Sequence, residues 1–211
     1  MRNYKAYFFL LLALFFSLSL ACDEKRVADN NPETKAYIDE LIKERKEKNY
    51  NLQFDSNSPF NRDTSAKFKP LRYYEPKLDF IFKSKLKTFE NPDTVSIPGT
   101  RGESRPAIIM GYLEFEKNGK INRLNVYKSF SRTGEPYYSL WFTDRTTGKE
   151  TYGVGRYLDF KLNEEPDFIY TIDFNRAYNP YFAYSPLFTS PIPRVEDYID
   201  IAIEAGEKNF H

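Results

Sequence analysis

The stretch AIIMGYLEFEKNGKINRLNVY, residues 107–127, decides the fold class of this chain. Two segments rich in aliphatic and aromatic residues, 107–115 and 121–127, flank the dipeptide Asn118-Gly119. Asn-Gly is favoured in a type I′ turn because both central residues of that turn take positive φ angles. The stretch therefore predicts an antiparallel β-hairpin.

Strand patterns continue on both sides of this hairpin. Residues 78–89 show a partial apolar alternation, residues 137–144 and 168–174 are strand-like, and Thr133-Gly134 predicts a turn. An aromatic content of 18% also suits pleated surfaces. We predict a mainly β domain, an antiparallel sandwich or barrel, with an α+β fold as the alternative. Residues 195–205 fit a short helix or a strand equally well.

One helix precedes the strands. Asn31 is a side-chain cap, Pro32 suits the first helical position, and Glu33 lies near the positive end of the helix dipole. We predict a helix over residues 32–48 with charged residues covering its solvent face. Its apolar face carries Tyr37, Ile38, Leu41 and Ile42.

The first residues have the order of a secretory signal. Arg2 and Lys5 precede an apolar run over residues 7–20, which is too short to span a bilayer comfortably. The ending Ser19-Leu20-Ala21-Cys22 resembles the lipobox of bacterial lipoproteins, in which the cysteine is lipidated. We expect a signal peptide at 1–21, a lipidated Cys22 with a tether at 22–30, and a single domain at 31–211. The resemblance implies a lipid-anchored protein of the bacterial cell envelope, facing the periplasm or the cell surface, whose partner is the membrane.

Charge and composition exclude several classes of function. Removal of Arg2 and Lys5 with the signal leaves 29 basic against 30 acidic residues, without the clustered basic excess of a nucleic-acid binder. Cys22 is the only cysteine and the terminal His211 the only histidine, so a catalytic triad, a Cys-His pair and a zinc site are excluded. Gly153-Val154-Gly155 lacks the spacing of a dinucleotide or phosphate loop, and we expect no cofactor.

Candidate site residues concentrate in WFTDRTTGKETYGVGRYLDF, residues 141–160, and DFNRAYNPYFAYS, residues 173–185. Arg156 can grip a carboxylate or phosphate through two bonds, and residues two apart on a strand share a face. The tyrosines can form a stacking wall. The ligand-binding candidates are Asp144, Glu150, Tyr152, Arg156, Asp173, Asn175 and Tyr178.

These segments, together with AGEK at 205–208, SPF from Ser58 and LRYYEP from Leu71, resemble the domain-of-unknown-function family numbered 1684 (DUF1684). The family is bacterial and archaeal, and the resemblance covers the domain from the first helix onward. It implies a fold neighbourhood and no established activity.

Three functions remain open from the residues. The first is binding of a small polar or anionic ligand near Arg156. The second is a carboxylate-dependent hydrolase that uses Glu150 and Asp173 across a cleft. The third is a structural or interaction module in which Arg156 pairs internally with Asp173 or Glu150. A calcium or magnesium site at Asp144, Glu150, Asp173 and Asn175 would lack any known loop spacing, and we expect no metal.

Overall fold

The computed structural model of the protein describes residues 31–131 and 133–211. The predicted signal peptide, Cys22 and the tether lie outside the described residues. Within these described residues, two α-helices, α1 and α2, precede eight strands, β1 to β8. Their bounds are α1 Pro32–Phe54, α2 Pro59–Arg62, β1 Ile81–Lys85, β2 Lys87–Pro98, β3 Ser104–Lys117, β4 Lys120–Phe130, β5 Pro136–Asp144, β6 Arg156–Phe160, β7 Ile169–Asp173 and β8 Tyr198–Ile199.

The larger sheet has the strand order β2-β3-β4-β5-β6, with every neighbouring pair antiparallel, and β8 adds to β5 in parallel. In the described chain β2 and β6 end this order and do not pair with each other, so the sheet stays open and is not a barrel. β1 and β7 form a separate antiparallel pair. The prediction of a mainly antiparallel β domain with an N-terminal helix is confirmed.

The hairpin that decides the fold class forms as predicted. β3 and β4 pair from Ile108 opposite Lys128 to Lys117 opposite Lys120, and Asn118 and Gly119 take φ angles of 54° and 72°. The β5 segment and the turn at Gly134, whose φ is 87°, are also confirmed.

Residues 78–89 were predicted as one strand, and this is wrong. Residues 78–80 form a single 3-10 turn, β1 ends at Lys85, and β2 begins at Lys87 in the other sheet. The chain changes from one sheet to the other at Leu86, and the Leu86 side chain packs against the main core. Residues 195–205 form neither one helix nor one strand. A 3-10 turn over 195–197 is followed by the two-residue strand β8 and then by irregular chain.

α1 begins where predicted, and the side chain of Asn31 accepts a hydrogen bond from the Glu33 amide at 3.0 Å. It continues six residues beyond the predicted end at Lys48, because Leu52 is buried on the next turn. Leu41 is buried but Ile42 is 39% exposed. None of the helices formed by the described residues is long and apolar enough to cross a membrane.

The main core lies between the larger sheet and the β1–β7 pair. Phe82 of β1 and Ile172 of β7 contact the same cluster as Leu113, Val126 and Phe142 of the larger sheet. A second cluster joins Leu52 of α1 to aromatic residues that follow β7 and to the C-terminal segment; it includes Phe60, Leu71, Tyr184 and Phe210. This second cluster holds α1 beside the segment after β7, where a cleft lies.

Candidate functional site

Arg156, the first residue of β6, is fully buried and braces the protein internally. One terminal nitrogen donates to Asp144 Oδ2 at 2.9 Å and to the carbonyl of Ile203 at 2.8 Å. The other donates to the carbonyls of Ala205 and Glu207. The guanidinium therefore ties the end of β5 to the C-terminal segment and has no exposed surface for a ligand.

The carboxylate partner of Arg156 is Asp144, so pairing with Glu150 or Asp173, as the sequence suggested, is wrong. Asp144 Oδ1 also accepts bonds from the amide and hydroxyl of Thr146, at 2.7 and 2.6 Å, and thereby caps the turn after β5. Glu150 is exposed on that turn. The pair of Arg156 and Asp144 was not predicted from the sequence, because the two residues are twelve positions apart and meet only after the chain has turned back.

Asp173 and Asn175 contact each other, although β7 ends at Asp173 and Asn175 lies in a 3-10 turn. Asp173 Oδ1 accepts from the amide and the side chain of Asn175, both at 3.0 Å, while Oδ2 accepts from Arg176 Nε at 3.1 Å. The Asn175 side chain also bonds the backbone amide and carbonyl of Lys77, each at 2.8 Å. Both residues thus fix the chain that leaves β7.

A cleft with a volume of about 460 Å³, which we call the helix cleft, lies beside α1. One wall is α1 and the other is the segment that follows β7. Its lining includes Glu44, Arg45 and Lys48 of α1, then Asn175, Arg176, Tyr178 and Tyr181, with Tyr73 and Asp159.

The ammonium group of Lys48, in the lining of the helix cleft, forms an ion pair with the buried carboxylate of Glu207. Lys48 Nζ lies 2.9 Å from Glu207 Oε2 and 4.8 Å from the centre of the Tyr178 ring. The Glu207 side chain is fully buried and also accepts bonds from the Asn179 side chain at 2.8 Å and from the Tyr184 hydroxyl. Since the Lys48 side chain is 31% exposed, it presents a neutralised ammonium to the cleft.

The two arginines of the helix cleft are also engaged. Arg45 donates to the carbonyls of Tyr74 and Asn175 at 3.0 and 3.2 Å. Arg176 pairs with Glu44 and with Asp173. Each cation of the cleft therefore already faces a carboxylate or backbone carbonyls.

Tyr178 of the cleft wall and the buried Tyr184 near Glu207 stay protonated at neutral pH. The Tyr178 hydroxyl donates to Asp159 Oδ1 at 2.8 Å, and burial followed by the charge of Asp159 raises the pKa of Tyr178 well above its ordinary value. Burial and then Glu207 raise the pKa of Tyr184 in the same way. These hydroxyls act as hydrogen-bond donors to carboxylates, and neither is a general base near neutral pH.

Only two of the candidates predicted from the sequence, Asn175 and Tyr178, line the helix cleft. Asp173 lines a smaller cleft of about 120 Å³, and Glu150 lines neither of these two clefts. The hydrolase hypothesis requires Glu150 and Asp173 to face each other across a cleft. They do not do so in either of these two clefts. Tyr152 is half-buried against the cluster around Leu52.

The sequence reasoning missed Arg45, Lys48 and Glu207. Leu41, Arg45, Lys48 and Leu52 are spaced along one side of α1, so helical periodicity could have placed both cations on the packed face. Glu207 lay within the motif AGEK but was not singled out. Across residues 31–131 and 133–211, no group of three carboxylate, histidine or cysteine side chains could hold a metal ion.

Comparison with known proteins gives a family and no activity. The sequence model of the family described as "Protein of unknown function (DUF1684)" matches residues 66–208. The comparison with curated proteins found no significant match. The chain is similar to the solution NMR structure of an uncharacterized protein from gene locus rrnAC0354 of Haloarcula marismortui. That similarity has a TM-score of 0.60 and 27% identity, and it covers 83% of this chain and 96% of that one. With most of its length matched by the family model, the chain belongs to the DUF1684 family.

Proposed function

We propose that the protein is a lipid-anchored protein of the bacterial cell envelope whose domain binds a small polar ligand in the helix cleft. The observation that supports this most directly is the cleft itself, at about 460 Å³. Pockets for small ligands typically measure about 300–1,000 Å³ and combine aromatic walls with a few fixed polar groups. Tyr178 and Tyr181 supply the aromatic walls, and Lys48 and Glu44 supply polar groups that reach the cleft.

This proposal moves the binding site away from Arg156. Arg156 and Asp144 have fully buried side chains that pair with each other, and the guanidinium also bonds backbone carbonyls, which is the arrangement of a structural brace. The helix cleft keeps Asn175 and Tyr178 from the original candidates and replaces Arg156 with Lys48 as the cationic group.

A ligand screen by thermal unfolding tests the binding site. The full chain, purified in detergent, is heated with amino acids, sugars, dicarboxylates and inorganic phosphate. A compound present at one hundred times its dissociation constant stabilises the folded state by about 2.7 kcal/mol. We expect Lys48→Met to reduce the shift caused by a binding compound. Lys43→Met is the matched control, because the Lys43 side chain is 77% exposed on the same helix.

Two results would contradict binding in the cleft. Either no compound shifts the native protein, or a compound shifts the wild type and Lys48→Met equally.

The lipid anchor is tested separately. Cells that express the full chain are fed a fatty-acid probe, and we expect labelling of the wild type and none of Cys22→Ser. Equal labelling of both would refute the anchor and would leave the helix cleft unaffected.

A further inference from the structure

A second cleft adjoins the helix cleft along α1. It has a volume of about 360 Å³ and shares Glu44, Lys48 and Tyr181 with the helix cleft as lining residues. Its other lining residues include Glu47 and Asp55. Because three residues line both, the two clefts are immediate neighbours, and a ligand that occupies both must be longer than a single compact unit. We call the two clefts together the groove.

The charges of this groove disfavour an anionic ligand. Lys48 is neutralised by Glu207, and Arg176 is neutralised by Glu44 and Asp173. The adjoining cleft adds carboxylates, from Glu47 and Asp55, and no further cation to its lining. An anion would have to displace a carboxylate partner at Lys48 and Arg176, or backbone carbonyls at Arg45, whereas an uncharged ligand can add hydrogen bonds to pairs that stay intact.

Tyr181 stands where the two clefts meet and is 48% exposed. Phe188 contacts its ring edge to face at 5.3 Å between centroids, and the Tyr184 ring lies at 6.4 Å. These contacts hold the Tyr181 ring, while its exposed part offers an apolar platform to a ligand. Carboxylates and an ammonium surround this platform.

We propose that the ligand of the groove is an uncharged oligosaccharide of at least two sugar units, which spans both clefts and stacks on Tyr181. This inference rests on the proposed function and names its ligand class. A sugar ring offers apolar C–H faces to an aromatic ring. Its hydroxyls both donate and accept, so they can donate to Glu44 and Asp159 and accept from Lys48.

The test is calorimetric titration of the full chain in detergent. The ligands are neutral gluco-, manno-, xylo- and N-acetylglucosamine oligosaccharides of one to four units, with oligogalacturonates as charged counterparts. We expect a neutral series to bind with an affinity that rises at least tenfold from one unit to two or more and that is insensitive to salt. Tyr181→Ala should lower the affinity by about tenfold, and Tyr181→Phe by less than about threefold, since the ring supplies the contact.

Tyr50→Ala is the matched control. Tyr50 lies on α1 with 64% exposure and lines neither cleft, so its removal should leave the affinity unchanged. If only oligogalacturonates bind, with strong salt dependence, the proposal of an uncharged oligosaccharide is overturned, while binding in the cleft stands only where Lys48→Met weakens it. Absence of binding by every neutral sugar overturns it as well. When no compound of the earlier screen binds either, the proposed function fails too.

Discussion

Replacement of Arg156 by methionine is expected to remove a large part of the stability of this domain. The substitution keeps the apolar volume of the side chain but takes away the donors on which a buried carboxylate depends. Asp144 Oδ2 has the guanidinium as its hydrogen-bond partner, and the carbonyls of Ile203, Ala205 and Glu207 accept further bonds from its two terminal nitrogens. Removal of one partner from a buried ion pair costs about 3–5 kcal/mol, against a total stability of about 5–15 kcal/mol for a folded protein.

Urea unfolding gives the measurement. Trp141 is the only tryptophan and is buried on β5, so its fluorescence reports loss of the larger sheet. We expect the midpoint of Arg156→Met to fall while the slope with urea is unchanged, which identifies a loss of stability without a change in compactness. Lys43→Ala removes an exposed ion pair with Glu47 and should cost less than about 1 kcal/mol.

A double-mutant cycle identifies the pair as the cause. Asp144→Asn keeps the shape of the carboxylate but places amide hydrogens against the guanidinium, so this single change should also be costly. The double variant Arg156→Met/Asp144→Asn should lose clearly less than the sum of the two singles, because each removes the same interaction. Two results would contradict a stabilising role of this pair. Either the losses of the two single variants add up to that of the double variant, or Arg156→Met loses less than about 1 kcal/mol.

Two further perturbations test the described packing. In the native state the pKa values of Tyr127, Tyr178 and Tyr184 lie above the ordinary value. These three hydroxyls therefore keep their protons in the pH range in which tyrosines of the unfolded chain ionise. The free energy of unfolding should therefore fall as the pH rises above about 10, by up to about 1.4 kcal/mol per pH unit for each tyrosine, and a flat profile in urea unfolding would contradict this. Gly206→Ala should cost more than Gly119→Ala in the same assay. Both glycines have positive φ, but a Cβ at Gly206 would meet two backbone carbonyl oxygens within 2.7 Å, whereas nothing lies within 4 Å at Gly119. Equal losses would show that the close approach at Gly206 is not constraining.

The features that the sequence predicted well depend on neighbouring residues. Asn118-Gly119 fixes its own turn geometry, and the Asn31 cap needs only an amide two residues away. Such signals act within a few residues and need no knowledge of the rest of the fold. The hairpin, the start of α1 and the mainly antiparallel class could therefore be predicted.

The helix cleft could not be predicted in this way, because its contacts join distant parts of the chain. Lys48 meets Glu207 across 159 residues, and Arg45 meets the carbonyl of Asn175 across 130. In the sequence alone, the charged residues of α1 fit a helix face exposed to solvent. Tertiary packing instead brings Glu44 against Arg176 and turns it into part of a cleft wall.

Glu207 gives a decisive test of the charge argument for the groove. Glu207→Gln keeps the size of the side chain but removes the negative charge beneath Lys48. We expect the variant to lose about 1–3 kcal/mol of stability, because the buried partners Asn179 and Tyr184 lose a charged acceptor. The ammonium of Lys48 would then be uncompensated, so inorganic phosphate should bind the variant at low salt and should not bind the wild type. Affinity for a neutral oligosaccharide should change far less. If phosphate binds both proteins equally, Glu207 does not neutralise Lys48 at the cleft, and the choice of an uncharged ligand over an anion loses its electrostatic basis.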